Sequence, residues 1–167
     1  VMFRQRHQPG LRGLSDFTEL KGVVVTIVGK LYHFRLEWSH WSWMRVVLGG
    51  ESFSALAEGL QEALGQLGGV PSEHKTDSLR AAWKHRGEDG QRELTERYAE
   101  LCRHYGMQGV HNNAGRGHEN GSVESAHGHL KRRIRQALIL RGSNDFSTLE
   151  EYQAFITQQV MRHNRNN

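Results

Sequence analysis

Residues 120–136, NGSVESAHGHLKRRIRQ, set one acid ahead of a run of bases. Glu124 is the only carboxylate between Asn120 and Asn144, and Lys131, Arg132, Arg133, Arg135 and Arg141 follow it. On a helix turning about 100° per residue, Val123, Leu130, Ile134, Ala137 and Leu138 form an apolar stripe. Glu124, Gly128, Lys131 and Arg135 then share the flank beside it. A lone carboxylate at the edge of a cationic face suits a metal ion held next to a phosphate backbone; an ordinary solvated helix face is the competing reading. Two more carboxylates stand at junctions between predicted elements, Asp16 in GLSDFTEL and Asp77 in EHKTDSL. Two-metal phosphoryl transfer needs such a set, because hard Mg²⁺ or Mn²⁺ ions take oxygen ligands and two or three carboxylates can hold a pair about 3.5–4 Å apart. Spacing alone is not selective, since 18 acidic residues offer many triples.

The elements that would position these acids follow from periodicity. Val23, Val25 and Ile27 alternate, Gly29-Lys30 makes a turn, and Tyr32, Phe34, Leu36 and Trp38 alternate again. WSHWSW, residues 38–43, is the next bend, and Trp43 to Leu48 a third strand; its aromatics suit strand-end packing better than base stacking. Phe53, Leu56, Leu60, Leu64 and Leu67 predict a helix with Ser52 as N-cap and Gly68-Gly69 as its stop. Residues 70–77 form a short strand, Gln91 to Tyr105 a second helix ending at Gly106, and Met107 to Asn112 a further strand. A Gly-rich loop, AGRGHENGS, leads into the Glu124 helix. A capping box from Ser147 to Glu150 opens a last helix that buries Leu149, Tyr152, Phe155, Ile156 and Val160. This order is α/β with an antiparallel leading meander, one sheet covered by helices. Residues 1–13 read as a basic lead-in, 14–163 as the core and 164–167 as a disordered tail.

The chain has 167 residues, enough for one domain. Its single cysteine, Cys102, falls on a helix stripe and reads as packing; disulfides and four-cysteine zinc sites are excluded, which fits a reducing cytoplasm. A net charge of +4, with eleven histidines, favours nucleic acid over an acidic protein surface. No apolar run approaches the roughly 20 residues of a membrane span. A first residue of valine suggests a piece of a longer protein.

GLSDFTEL, HKTDSLRAA, RYAELCRHYGM and NNAGRGHENGSVESAHGHLKRRI resemble the catalytic core of IstA-type insertion-sequence transposases, of the DDE transposase and retroviral integrase superfamily. The likeness runs from about Leu11 to Asn166, and its most specific piece is the tetrad Gly121-Ser122-Val123-Glu124. It puts the family's acidic triad on Asp16, Asp77 and Glu124. It implies a ribonuclease-H-like fold, a five-stranded mixed sheet with helices on both faces. It further implies a transposase using two Mg²⁺ or Mn²⁺ ions to cleave transposon ends and join the freed 3′-hydroxyl to target DNA. Such enzymes are bacterial and DNA-associated, assemble as homo-oligomers on DNA, and usually work with a helper AAA+ ATPase. Ser78 after the second aspartate, and Phe17-Thr18-Glu19 after the first, depart from patterns common among relatives. No helix-turn-helix precedes this core and no small β-barrel follows it, so tight end recognition is not expected of this piece.

Rival acids are weaker candidates. Glu119 is about 140° from Glu124 on a helix, Glu19 lies three residues past Asp16 on the opposite strand face, and Glu88, Asp89 and Asp145 sit in turns. Lys131 and Arg135, on the flank of Glu124, are the expected phosphate contacts, with Arg132 and His118 as further candidates. A nuclease that hydrolyses without joining, and a non-catalytic basic DNA-binding module, are the alternative functions.

Overall fold

A computed structural model describes residues 8–20, 26–76, 83–86, 91–111 and 117–166, and for 83–86, 91–94, 111 and 117–127 the backbone alone. The leading meander is β1 (Arg12–Thr18), β2 (Lys30–Leu36) and β3 (Ser42–Val47), paired antiparallel. β1 therefore begins inside the expected lead-in. Gly13, Leu14, Ser15, Phe17 and Thr18 are all buried, so a strand covered on both faces shows no alternation to be read. The alternating Val23 and Val25 lie outside the described residues, and Ile27 belongs to no strand but packs against a core cluster.

Helix α1 (Phe53–Leu67) is bounded as its sequence predicts. The Ser52 hydroxyl accepts the Ala55 N–H, and Gly68 closes the helix at φ 71°, where a side chain would be strained. Strand β4 (Glu73–Thr76) follows. The second helix begins later than expected. Gln91–Leu94 is strand β6, paired with β5 (Trp83–Arg86) in a separate hairpin, and α2 (Glu96–Tyr105) starts only where the Thr95 hydroxyl caps the Tyr98 N–H. After β7 (Gln108–His111) the long helix α3 (Gly117–Arg141) takes in much of the expected Gly-rich loop. The last helix, α4 (Leu149–Asn164), is capped one residue later than the predicted box. The Thr148 hydroxyl accepts the Glu151 N–H, and the Glu151 carboxylate accepts the Ser147 N–H at 2.7 Å.

The main sheet has the order β3-β2-β1-β4-β7, with β1, β4 and β7 parallel. Each face carries its own core. Tyr32, Phe34, Leu56, Leu60 and Tyr98 cluster under α1 and α2. Leu31, Met44, Leu130, Ile134, Leu138, Ile156 and Val160 cluster under α3 and α4. α4 also runs beside the edge strand β3. Gln153 accepts the Val46 N–H at 2.7 Å and donates to the Met44 carbonyl, while Asn164 accepts the Ser42 N–H and donates to its carbonyl, both at 2.8 Å. Asn164 thus belongs to the core rather than to a loose tail.

Candidate active site

Open α/β sheets bind ligands beyond the carboxyl ends of their parallel strands. Ser15 of β1 pairs with Thr76 of β4, and in the sequence these two residues directly precede the candidate acids Asp16 and Asp77. Thr76 in turn pairs with His111 of β7, and α3 starts six residues later. Asp16 is half-buried. Its neighbours Ser15 and Phe17 contact Tyr32 on the α1/α2 side, so strand alternation places Asp16 on the α3/α4 side. Across from it on β2 stands the buried His33, whose Nε2 is 3.1 Å from the Ser42 hydroxyl. Asp77 lies outside the described residues. Glu124 and His118 lie on the backbone of α3, and their side chains are outside the described ones.

Further along α3 the helix has the asymmetry its sequence predicts. Leu130, Ile134 and Leu138 are buried; Gly128, Lys131 and Arg135 are half-buried beside them; Arg132 and Arg133 are exposed. The Arg135 Nε is buried and finds no hydrogen-bond partner among the described residues. Glu124 is seven residues from Lys131 and eleven from Arg135, which at about 100° per residue keeps all three on one flank. Among the rivals, Glu19 is exposed and faces Lys30 at 3.7 Å, and Asp145 accepts a bond from Thr26. The side chain of Glu119 is outside the described ones, as are Glu88 and Asp89 entirely. Cys102 is buried in the α1/α2 core, as its stripe position predicts.

Beneath the aspartate strands is a polar chain that sequence reasoning missed. The Ser15 hydroxyl lies 2.6 Å from the Tyr32 hydroxyl and 2.7 Å from His74 Nε2, and His74 Nδ1 lies 2.8 Å from the Tyr98 hydroxyl. Tyr98 also donates to the His74 carbonyl. Burial away from water pushes His74 down from 6.5 to about 3 and raises both tyrosines. The histidine is therefore a neutral hydrogen-bonding group at working pH. Only its place in EHKTDSL could have drawn notice; its partners are 59 and 24 residues away.

Among the described residues no three histidine, cysteine or acidic side chains gather to hold a metal, and two of the three expected ligands fall outside that set. Asp16, a half-buried carboxylate of β1, has the oxygen donors that a hard cation takes.

No family model matches the chain. The Sinorhizobium fredii uncharacterized protein y4jA/y4nE/y4sE is 54% identical over 169 residues, covering 98% of this chain, which spans only 34% of that protein. Among solved structures, the simian T-cell lymphotropic virus intasome in complex with PP2A regulatory subunit B56 gamma matches with a TM-score of 0.74 at 16% identity, covering 99% of this chain and 52% of that one. The HTLV-2 integrase catalytic core domain in complex with magnesium, in its dimeric form, matches at 0.68 and 17% identity over 95% and 89% of the two chains. The fold is ribonuclease-H-like. The catalytic core domain of BIV integrase agrees, at 0.64 and 16% identity over 95% of this chain and 86% of that one. Five mixed strands with a helical core on each face meet the fold expectation.

Proposed function

We propose that this ribonuclease-H-like domain is the catalytic core of a DNA transposase that cleaves transposon ends and transfers the 3′-hydroxyl strand into target DNA. The observation that carries this reading is the β1/β4 register, Ser15 opposite Thr76, the two residues that Asp16 and Asp77 directly follow in the sequence. Glu124 and its cationic flank lie on α3, the helix that follows β7 in the chain. Integrase cores of the same fold, one of them in complex with magnesium, support the assignment.

In this reading Asp16, Asp77 and Glu124 hold one or two Mg²⁺ or Mn²⁺ ions. Bound there, such ions supply activation of a water or sugar hydroxyl and stabilise charge on the leaving oxygen. Lys131 and Arg135 hold the DNA backbone alongside through their cationic side chains. Arg132 and His118 add contacts further out. The protein works as a homo-oligomer on transposon-end and target DNA in the bacterial cytoplasm; the helper AAA+ ATPase rests on the transposase resemblance alone. No helix of the described residues is long and apolar enough to cross a membrane.

The test uses the full-length protein, pre-cut transposon-end DNA and Mn²⁺. Joined products are expected. Hydrolysis without joining would reassign the domain as a nuclease. Unchanged DNA binding, with neither metal-dependent chemistry nor stabilisation by the ion, would make it a basic DNA-binding module.

A further inference from the structure

We propose that Ser15, His74 and Tyr98 act as positioning residues that fix the register of β1 on β4, and with it the place of Asp16, from the opposite side of the sheet. This rests on the reading of Asp16 and Asp77 as metal ligands. Each of the two strands contributes one member: Ser15 of β1 immediately precedes Asp16, and His74 of β4 comes three residues before Asp77 in the sequence. Their side chains meet at 2.7 Å across the β1/β4 boundary, on the face turned away from Asp16. The β1/β4 pair is held by its slanted backbone ladder and, at its outer end, by the Arg12–Glu73 ion pair at 2.7 Å, and a one-residue slip would exchange the faces of every side chain on the slipped strand. The Ser15–His74 contact forbids that slip.

The histidine is itself held on every side. Tyr98 of α2 reaches Nδ1 at 2.8 Å, and the Phe34 ring stacks on the imidazole with centroids 6.2 Å apart and planes 18° apart. Gly13, the register partner of His74, leaves the room that ring needs; a Cβ there would come within 2.7 Å of Phe34. One proton order satisfies the whole chain. Tyr32 donates to Ser15, Ser15 to His74 Nε2, His74 Nδ1–H to Tyr98, and Tyr98 to the His74 carbonyl. A fully satisfied buried network specifies one arrangement where an apolar cluster would accept several. Through it, α2 reports on the geometry of two strands at once.

The deciding experiment measures Mn²⁺ affinity by calorimetry on the full-length protein, well below its melting temperature. Ser15→Ala, His74→Phe and Tyr98→Phe are compared with Leu56→Ala, a core truncation outside the network, and with Asp16→Asn. The expected result is Mn²⁺ binding weakened about tenfold in the three network variants, unchanged in Leu56→Ala and lost in Asp16→Asn. Parental affinity in His74→Phe and Tyr98→Phe, beside loss in Asp16→Asn, overturns the positioning role and leaves the metal site standing. Equal weakening in Leu56→Ala also overturns it, because affinity would then follow stability alone. Parental affinity in Asp16→Asn overturns the metal site itself. Should His74→Phe fail to fold, Tyr98→Phe, which removes one oxygen, carries the test.

Discussion

The two faces of the sheet divide the work. Toward α1 and α2, the central strands turn Ser15, His74 and Tyr32 into a satisfied polar chain set in an apolar core. Toward α3 and α4 an apolar cluster lies beside separate buried polar groups, His33, Arg35 and Ser42 among them, and the half-buried Asp16 stands on that side. Neighbouring residues of β1 thus face opposite sides: Ser15 joins the buried polar chain, and Asp16 is the residue for which the proposed reading has a use in chemistry. The lesson is that a strand can be held by one half of its side chains and used through the other.

The contrast can be broken most severely at the acids. Asp16→Asn, Asp77→Asn and Glu124→Gln should each cut metal-dependent DNA cleavage by roughly a thousandfold or more, with DNA affinity similar or higher; gel assays of cleavage and binding read both. If Glu124→Gln stayed active while Glu119→Gln died, the third ligand would be Glu119. Next come the two cores. Leu60→Ala under α1 and Ile134→Ala under α3 should each cost about 2–5 kcal/mol in urea unfolding. Equal losses would show that the faces differ in chemistry and not in packing strength.

Acid should act on the α1/α2 face through His74. His74 is held at about 3 when folded against 6.5 when unfolded, so the unfolded chain takes up the proton first as pH falls. Its contribution is whole above about pH 6.5 and declines toward pH 3, by at most about 1.4 kcal/mol per pH unit. His163, also lowered by burial, acts in the same direction. Unfolding at pH 7 and pH 5 should therefore show a shallower pH dependence in His74→Phe than in the parent. The smallest effect belongs to the flank of α3, where Lys131→Ala and Arg135→Ala should each flatten the log–log salt dependence of DNA binding by about 0.9. Arg133→Ala, on the exposed side, should do less.

What could be read in advance follows the same division. α1 announced itself through Ser52, a period-3.6 stripe and Gly68, because all its determinants are local. The half-buried flank of α3 was equally legible from Leu130, Ile134 and Leu138. β1 was misplaced because burial on both sides erases alternation. The start of α2 was misplaced because Leu94 fits a helical stripe while pairing with Trp83 as a strand, and only the Thr95 cap decides the boundary. At the candidate site, acids could be nominated by residue type and resemblance. The Ser15–His74–Tyr98 chain could not, since nothing in a linear sequence brings a serine, a histidine and a tyrosine from three elements together.

The amides along β3 have a consequence for crowding. With the Ser42 N–H and carbonyl, the Met44 carbonyl and the Val46 N–H already taken by Asn164 and Gln153, another chain finds fewer open ladder positions to zip onto at that border. Copies crowded together would therefore be less prone to fuse there into a continuous sheet.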